Sequence, residues 1–171
     1  MRKQRKQKAD KTVTLRLWTL AGARKAAPYF HSLVQSLRDR WLELRCKQES
    51  VRRIESRPGR PGRDSLILLE DSRRDLLHAE LNVEQVVQEM VEFSIYGIDP
   101  ASGLAGIPTL HDRTLAWLIY DLFDPQGLVA WRRHLDPLET RRPLADFEEQ
   151  PTTASDLAPG SFEPPNGAPF V

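Results

Sequence analysis

An α+β fold is predicted: a long antiparallel helical hairpin, coiled-coil-like in its spacing, capped by a small antiparallel β-sheet. Three observations carry this. Two long stretches, residues 20–55 and 64–95, repeat apolar residues at helical spacing. Between them lies Arg57-Pro58-Gly59-Arg60-Pro61-Gly62-Arg63, which cannot be helical and forces the helices to fold back on each other. After them come short apolar runs separated by Pro/Gly turns, the pattern of a small sheet.

Residues 13–17 alternate apolar and polar side chains, which predicts a strand that joins the sheet. Thr19 stands where an N-cap belongs, its hydroxyl placed to accept a free backbone N–H of the first turn. Pro28 predicts a kink, or the end of a first short helical piece. From Phe30 the first helix carries Phe30, Val34, Leu37, Trp41, Leu44, Gln48 and Val51 at steps of four and three, a seam for one partner helix. Arg38, Asp39, Arg45, Lys47, Arg52 and Arg53 form the opposite, solvated face.

The second helix is expected to start at Asp64 or Ser65, both good caps. Its seam is Leu69, Leu76, Val83, Val87 and Met90, widened by Leu66, Leu77, Val86 and Val91, and Gly97 is its expected stop. Phe30, Leu37, Leu44, Leu76, Val83 and Met90 are the expected core between the helices. Asp99-Pro100-Ala101-Ser102-Gly103 and Asp124-Pro125-Gln126-Gly127 are turn sequences. Residues 104–107, 114–123 and 128–133 are the strands between and after them. Residues 114–123, apolar on both faces, take the centre.

The chain divides into a basic arm (1–11), one ordered domain (12–144) and a tail (145–171). The arm sets six Lys or Arg against one Asp. Residues 134–171 set seven acids against two arginines, and residues 143–171 hold six of the thirteen prolines. Neither end has the apolar content to offset its ordering entropy, so both are expected to be disordered. The overall charge, 25 Lys+Arg against 24 Asp+Glu, selects no partner. With Cys46 as the sole cysteine an intrachain disulfide is impossible, and a cytoplasmic location is expected. Thr12, Thr14, Arg16 and Thr19 interrupt the run that would make residues 13–23 a signal peptide. No stretch has the roughly 20 apolar residues of a membrane span.

The order of elements resembles a prokaryotic family known as domain of unknown function 2203. The residues that carry the resemblance are Thr19, Ala23, Pro28 and Phe30 early in the chain. Later ones are Asp99, Gly103-Leu104, Ile107-Pro108, Leu118-Ile119-Tyr120, Asp124, Trp131 and Arg141-Arg142-Pro143-Leu144. It covers residues 12–144 and implies the fold, with no assigned activity. The chain departs from the family pattern at Gly106-Ile107-Pro108 (Asp-Phe-Pro in the family), Ile119-Tyr120 (Cys-Trp) and Trp131-Arg132 (Trp-His). A polar site resting on those Asp, Cys and His residues would be absent here.

His31, His78, His111 and His134 form no helical pair suited to a metal. Cys46 lacks a histidine at helical spacing, which leaves it a structural or surface thiol. The hinge has prolines where a phosphate cradle needs N–H donors. No catalytic residue, cofactor or metal is expected. Trp18, Trp41, Trp117 and Trp131 read as core.

The leading function is a non-catalytic protein–protein interaction or scaffolding module, with a protein partner or self-association through its helices. The alternative is a nucleic-acid-associated protein, in which Arg2, Lys3, Arg5, Lys6, Arg57, Arg60 and Arg63 neutralise phosphates. A third reading is a small-ligand or metal site at the sheet end, around Asp99, Asp124 and Arg132.

Overall fold

The computed structural model describes residues 15–59 and 62–147. The expectations for residues 1–14, which include the start of the expected strand 13–17, for residues 60–61, Arg60 among them, and for the tail beyond 147 lie outside the described residues. Two helices, α1 (Leu20–Glu55) and α2 (Arg63–Glu92), form the hairpin. Five strands follow: β1 (Tyr96–Asp99), β2 (Leu104–His111), β3 (Thr114–Asp121), β4 (Leu128–Arg133) and β5 (Arg142–Pro143), before a short 3-10 turn, Leu144–Asp146. They make one antiparallel sheet in the order β1-β2-β3-β4-β5, so β3 is central.

Thr19 caps α1, its Oγ1 accepting the Gly22 N–H at 3.0 Å. The helix runs unbroken through Pro28, so no first short piece ends there. Pro28 and Arg24, whose carbonyl loses its donor there, are both exposed. Ala23, fully buried, and Ala26 and Ala27 hold the opposite side against the core. Burial on that side keeps the helix going past the lost bond.

The start of α2 departs from the sequence reading. Gly62 is the N-cap without a side-chain bond, Asp64 lies in the first turn and Ser65 is half-buried. Its end departs too. Ser94, at φ 54°, donates its N–H to Val91 O (2.9 Å), and Ile95 donates to Met90 O (2.8 Å). These two bonds satisfy the last carbonyls around a left-handed residue, the role expected of Gly97. Buried Ile95 and Met90 join the same core cluster. Gly97 lies instead in β1, where a Cβ would come within 2.9 Å of Leu37 Cδ2; its absence lets α1 approach the sheet.

Residues 15–19 form no strand. Trp18 N donates to Pro108 O (2.9 Å), but Arg16 N turns to Ser94 Oγ (2.8 Å) and Trp18 Nε1 to Phe93 O (3.0 Å). The reason is Pro108. It sits in β2 beyond the last β1 pairing, at Gly106, with its carbonyl toward the open edge. Its nitrogen faces the same way and has no proton to offer, so a sixth strand cannot continue the ladder there. β2 therefore runs through the proline, four residues longer than expected. It turns into β3 through Asp112 and Arg113, both at positive φ.

The main core lies where the open end of the hairpin meets the sheet. Phe30 sits edge-on to Trp18 (5.1 Å) and Tyr120 (6.2 Å), with Leu118, Ile107, Met90 and Ile95 in the same cluster. Of the expected inter-helix core, Phe30, Leu37, Leu44 and Met90 are buried, while Leu76 and Val83 are half-buried. A two-helix hairpin has one covering layer, so residues flanking its seam keep partial contact with solvent. Of the tryptophans, only Trp131 is buried; Trp18, Trp41 and Trp117 are half-buried. Phe147 is buried against Trp131 (5.5 Å) and His111 (5.3 Å), so the packed chain extends past the expected boundary at residue 144.

Candidate functional site

The sheet end holds a polar cluster on the strand surface that bears Trp117. Trp117 and Arg132 are cross-strand partners, and side chains directly opposite each other share a face. Trp117 packs edge-on against Tyr96 (5.6 Å), and its Nε1 donates to His134 Nδ1 at 2.9 Å. Burial first, then the neighbouring Arg132 charge, lowers the His134 pKa, so its imidazole is neutral at pH 7. The acceptor role of Nδ1 places the proton on Nε2.

Arg132 is buried, and its Nη1 donates to three carbonyls: Arg133 (3.3 Å), His134 (3.3 Å) and Asp136 (3.0 Å). Burial, then Arg141, lowers its pKa. Its Nε is buried without a partner among the described residues. Asp136 accepts from Arg133 N (3.0 Å) and from Arg142 (3.1 and 3.2 Å), which holds its pKa below the usual carboxylate range. These contacts tie down the loop between β4 and β5. A shallow groove beside it is lined by Asp112, Thr114, Leu115, Arg133, His134 and Leu135.

The expected trio does not assemble. Asp99 ends β1 opposite Leu104, which in turn faces Asp121, so Asp99 lies at the Asp124 end of the sheet. Its carboxylate accepts from Ala101 N (3.1 Å) and Ser102 Oγ (2.6 Å), and the Ser102 bond chiefly lowers its pKa. Asp124 accepts from Gln126 N (2.8 Å) within its turn. Arg132, opposite Trp117, is carried to the other end. Both acids are turn-formers and the arginine is a loop clamp.

His111, missed as a structural centre by sequence reasoning, is buried and stacks on Trp131 at 4.3 Å. Its Nε2 lies 3.3 Å from Asp112 Oδ2, and its Nδ1 has no partner among the described residues. His31, His78 and Cys46 are exposed. Among the described residues no group of three or more His, Cys, Asp and Glu is placed to hold a metal ion. No described helix is long and apolar enough to cross a membrane. Arg57 and Arg63 are exposed at the hairpin turn, near Arg52 and Arg53. On the supposed solvated face of α1, Arg38 instead reaches the sheet loops, donating to Ala101 O (3.2 Å) and lying over Phe123 (5.2 Å).

The largest departure is on α2. Buried or half-buried residues recur at Ser65, Leu69, Ser72, Leu76, Ala79, Val83, Val86 and Met90, alternating steps of four and three. Small side chains at 65, 72 and 79 fill alternate positions of this seam against α1. Val87, expected in the seam, and Leu66, Leu77 and Val91, expected to widen it, are exposed, as are Ile67, Leu68 and Leu81. The physical reason is geometric: α1 covers one stripe, and the remaining apolar residues lie round the helix from it.

Comparison with protein family models, with curated proteins and with solved structures gives no match.

Proposed function

We propose that this chain is a non-catalytic protein-interaction module whose docking surface is the outer face of α2, and whose occupant is a helix laid along it. One observation carries the reading. Ile67, Leu77, Leu81 and Val91 are 51, 55, 47 and 44% exposed on a helix whose buried stripe already faces α1. Helical partners recognise such faces through apolar anchors at steps of three and four. At the sheet end Arg132 Nη1 and Asp136 are bonded to backbone and loop groups, which favours a structural part for both.

A photo-cross-linking amino acid at position 77 tests this in the cells that make the protein. One adduct of defined mass is expected from position 77, abolished by Leu81→Glu in the same chain. Position 49, exposed on α1, should give none. An adduct at 77 indifferent to Leu81→Glu, or no adduct at all, rejects the reading.

A second reading, contact with nucleic acid, is favoured by exposed Arg52, Arg57 and Arg63 at one end of the hairpin. It requires a salt-sensitive mobility shift of generic RNA that Arg57→Ala with Arg63→Ala removes.

A further inference from the structure

Resting on the interaction reading above, the inference here names the partner. On α2, residues 67, 70, 74, 77, 81, 84, 88 and 91 recur at alternating steps of three and four. They read Ile67, Glu70, Arg74, Leu77, Leu81, Glu84, Gln88 and Val91, and all eight are exposed. At about 100° per residue this second seam lies roughly 150° round the helix from the first, and it extends over about 36 Å.

The order of side chains along it decides the partner. A two-fold axis crossing the helix at the level of Ala79 brings an antiparallel copy into one register throughout. Ile67 then faces Val91 of the second copy, Glu70 faces Gln88, Arg74 faces Glu84, and Leu77 faces Leu81. Each pair occurs twice. Every layer is apolar against apolar, opposite charges, or a carboxylate against an amide. In a parallel pair Glu70, Arg74 and Glu84 would each meet its own like, which is repulsive. Arg74 now lies 3.5 Å from Asp71 of its own chain, both exposed, a contact weak enough to give up.

We infer that the chain forms a two-fold antiparallel dimer through α2, with Leu77 and Leu81 at its centre and two Arg74–Glu84 pairs flanking them. The two hairpins then join in a layer of four helices, α2 against α2 with each α1 outside, and each hairpin turn lies toward the other copy's sheet.

Sedimentation velocity of the full chain, from about 1 to 200 μM, tests this. Wild type should be a dimer. Leu77→Glu with Leu81→Glu should be a monomer of unchanged helix content by circular dichroism, and Leu77→Gln with Leu81→Gln guards against misfolding of the charged variant. Arg74→Glu and Glu84→Arg should each weaken dimerisation about tenfold or more, and the two together should restore it, since the pair is only reversed. A monomeric wild type overturns the dimer, while an adduct at position 77 with another protein would leave the interaction reading standing. A dimer that survives the Leu77/Leu81 changes likewise overturns the inference, since the copies then meet elsewhere. A dimer that they abolish, but that the double charge reversal fails to restore, overturns this register and keeps the surface.

Discussion

The indole N–H of Trp117 donates to Nδ1 of His134 across 2.9 Å, joining the central strand to the residue that follows β4. That acceptor exists only in the neutral imidazole. Protonation would place a second donor against the indole and a new charge beside Arg132.

A pH dependence follows with a definite sign. The folded His134 pKa lies below its ordinary value of about 6.5, so below that pH the unfolded chain binds more protons than the folded one. Stability should fall as pH drops from about 6.5, and this contribution levels off once the folded imidazole also protonates. The lowered carboxylates, Asp75, Asp99 and Asp136, act in a separate window. Their contribution is present above about 3.9 and lost as pH falls through their folded values. Melting temperatures from pH 7.5 to 5.0 should decline less for His134→Asn, whose amide oxygen accepts the indole proton without titrating. Parallel wild-type and variant curves would show that His134 contributes nothing.

Ser94 predicts a reversal of the usual ranking of substitutions. It is buried at φ 54°, a conformation that glycine adopts without strain, yet its Oγ accepts the Arg16 N–H. Ser94→Ala loses the acceptor and keeps the strain, so a loss of about 1–3 kcal/mol is expected from the unpaired donor. Ser94→Gly loses the same acceptor but relieves the strain, and should be the milder change in chemical denaturation. Equal losses would mean that the backbone conformation is of no consequence.

The β2–β3 turn offers a gain. Asp112 and Arg113 occupy left-handed positions, φ 51° and 57°, joining strands that pair at His111 and Thr114. Two-residue hairpins of this type favour Asp-Gly, because the second position is unstrained only for glycine. Arg113→Gly should raise stability by roughly 0.5–1 kcal/mol, read as a higher melting temperature. A lower one would mean that the Arg113 side chain contributes more than its backbone strain costs.

What was legible depended on how many solutions a pattern admits. The hinge prolines, the Thr19 cap and the two Asp-Pro turns each have one local reading, and α1, the hairpin and the central place of β3 follow from them. Stripes of α2 were not separable in the same way. Leu76 and Leu77 both belong to rows at steps of three and four, and periodicity cannot say which row meets α1. The α2 stop was hidden because serine in a left-handed cap has no composition signal, while Gly97 four residues after Phe93 had an obvious one. At the sheet end, pairing implied that Arg132 points away from Asp124. Its partners could not be foreseen, since backbone carbonyls of the next loop leave no mark in the side-chain sequence.

Arg132 therefore changes from a candidate ligand group to a clamp, and the two roles part experimentally. Its Nη1 holds the carbonyls of Arg133, His134 and Asp136 while Asp136 holds Arg142, so the arginine closes the loop that brings β5 back to β4. Arg132→Ala should cost about 1.5–3 kcal/mol, the range for charge-assisted bonds, because three carbonyls lose a buried donor. Hydrogen exchange should quicken first at Trp131 and Arg142, the pair joining β4 to β5. Arg132→Lys, a flexible point charge without the planar fork, should restore part of the stability. Phosphate should protect wild type and Arg132→Ala alike against heat. Protection of wild type alone would show that the guanidinium binds anions after all.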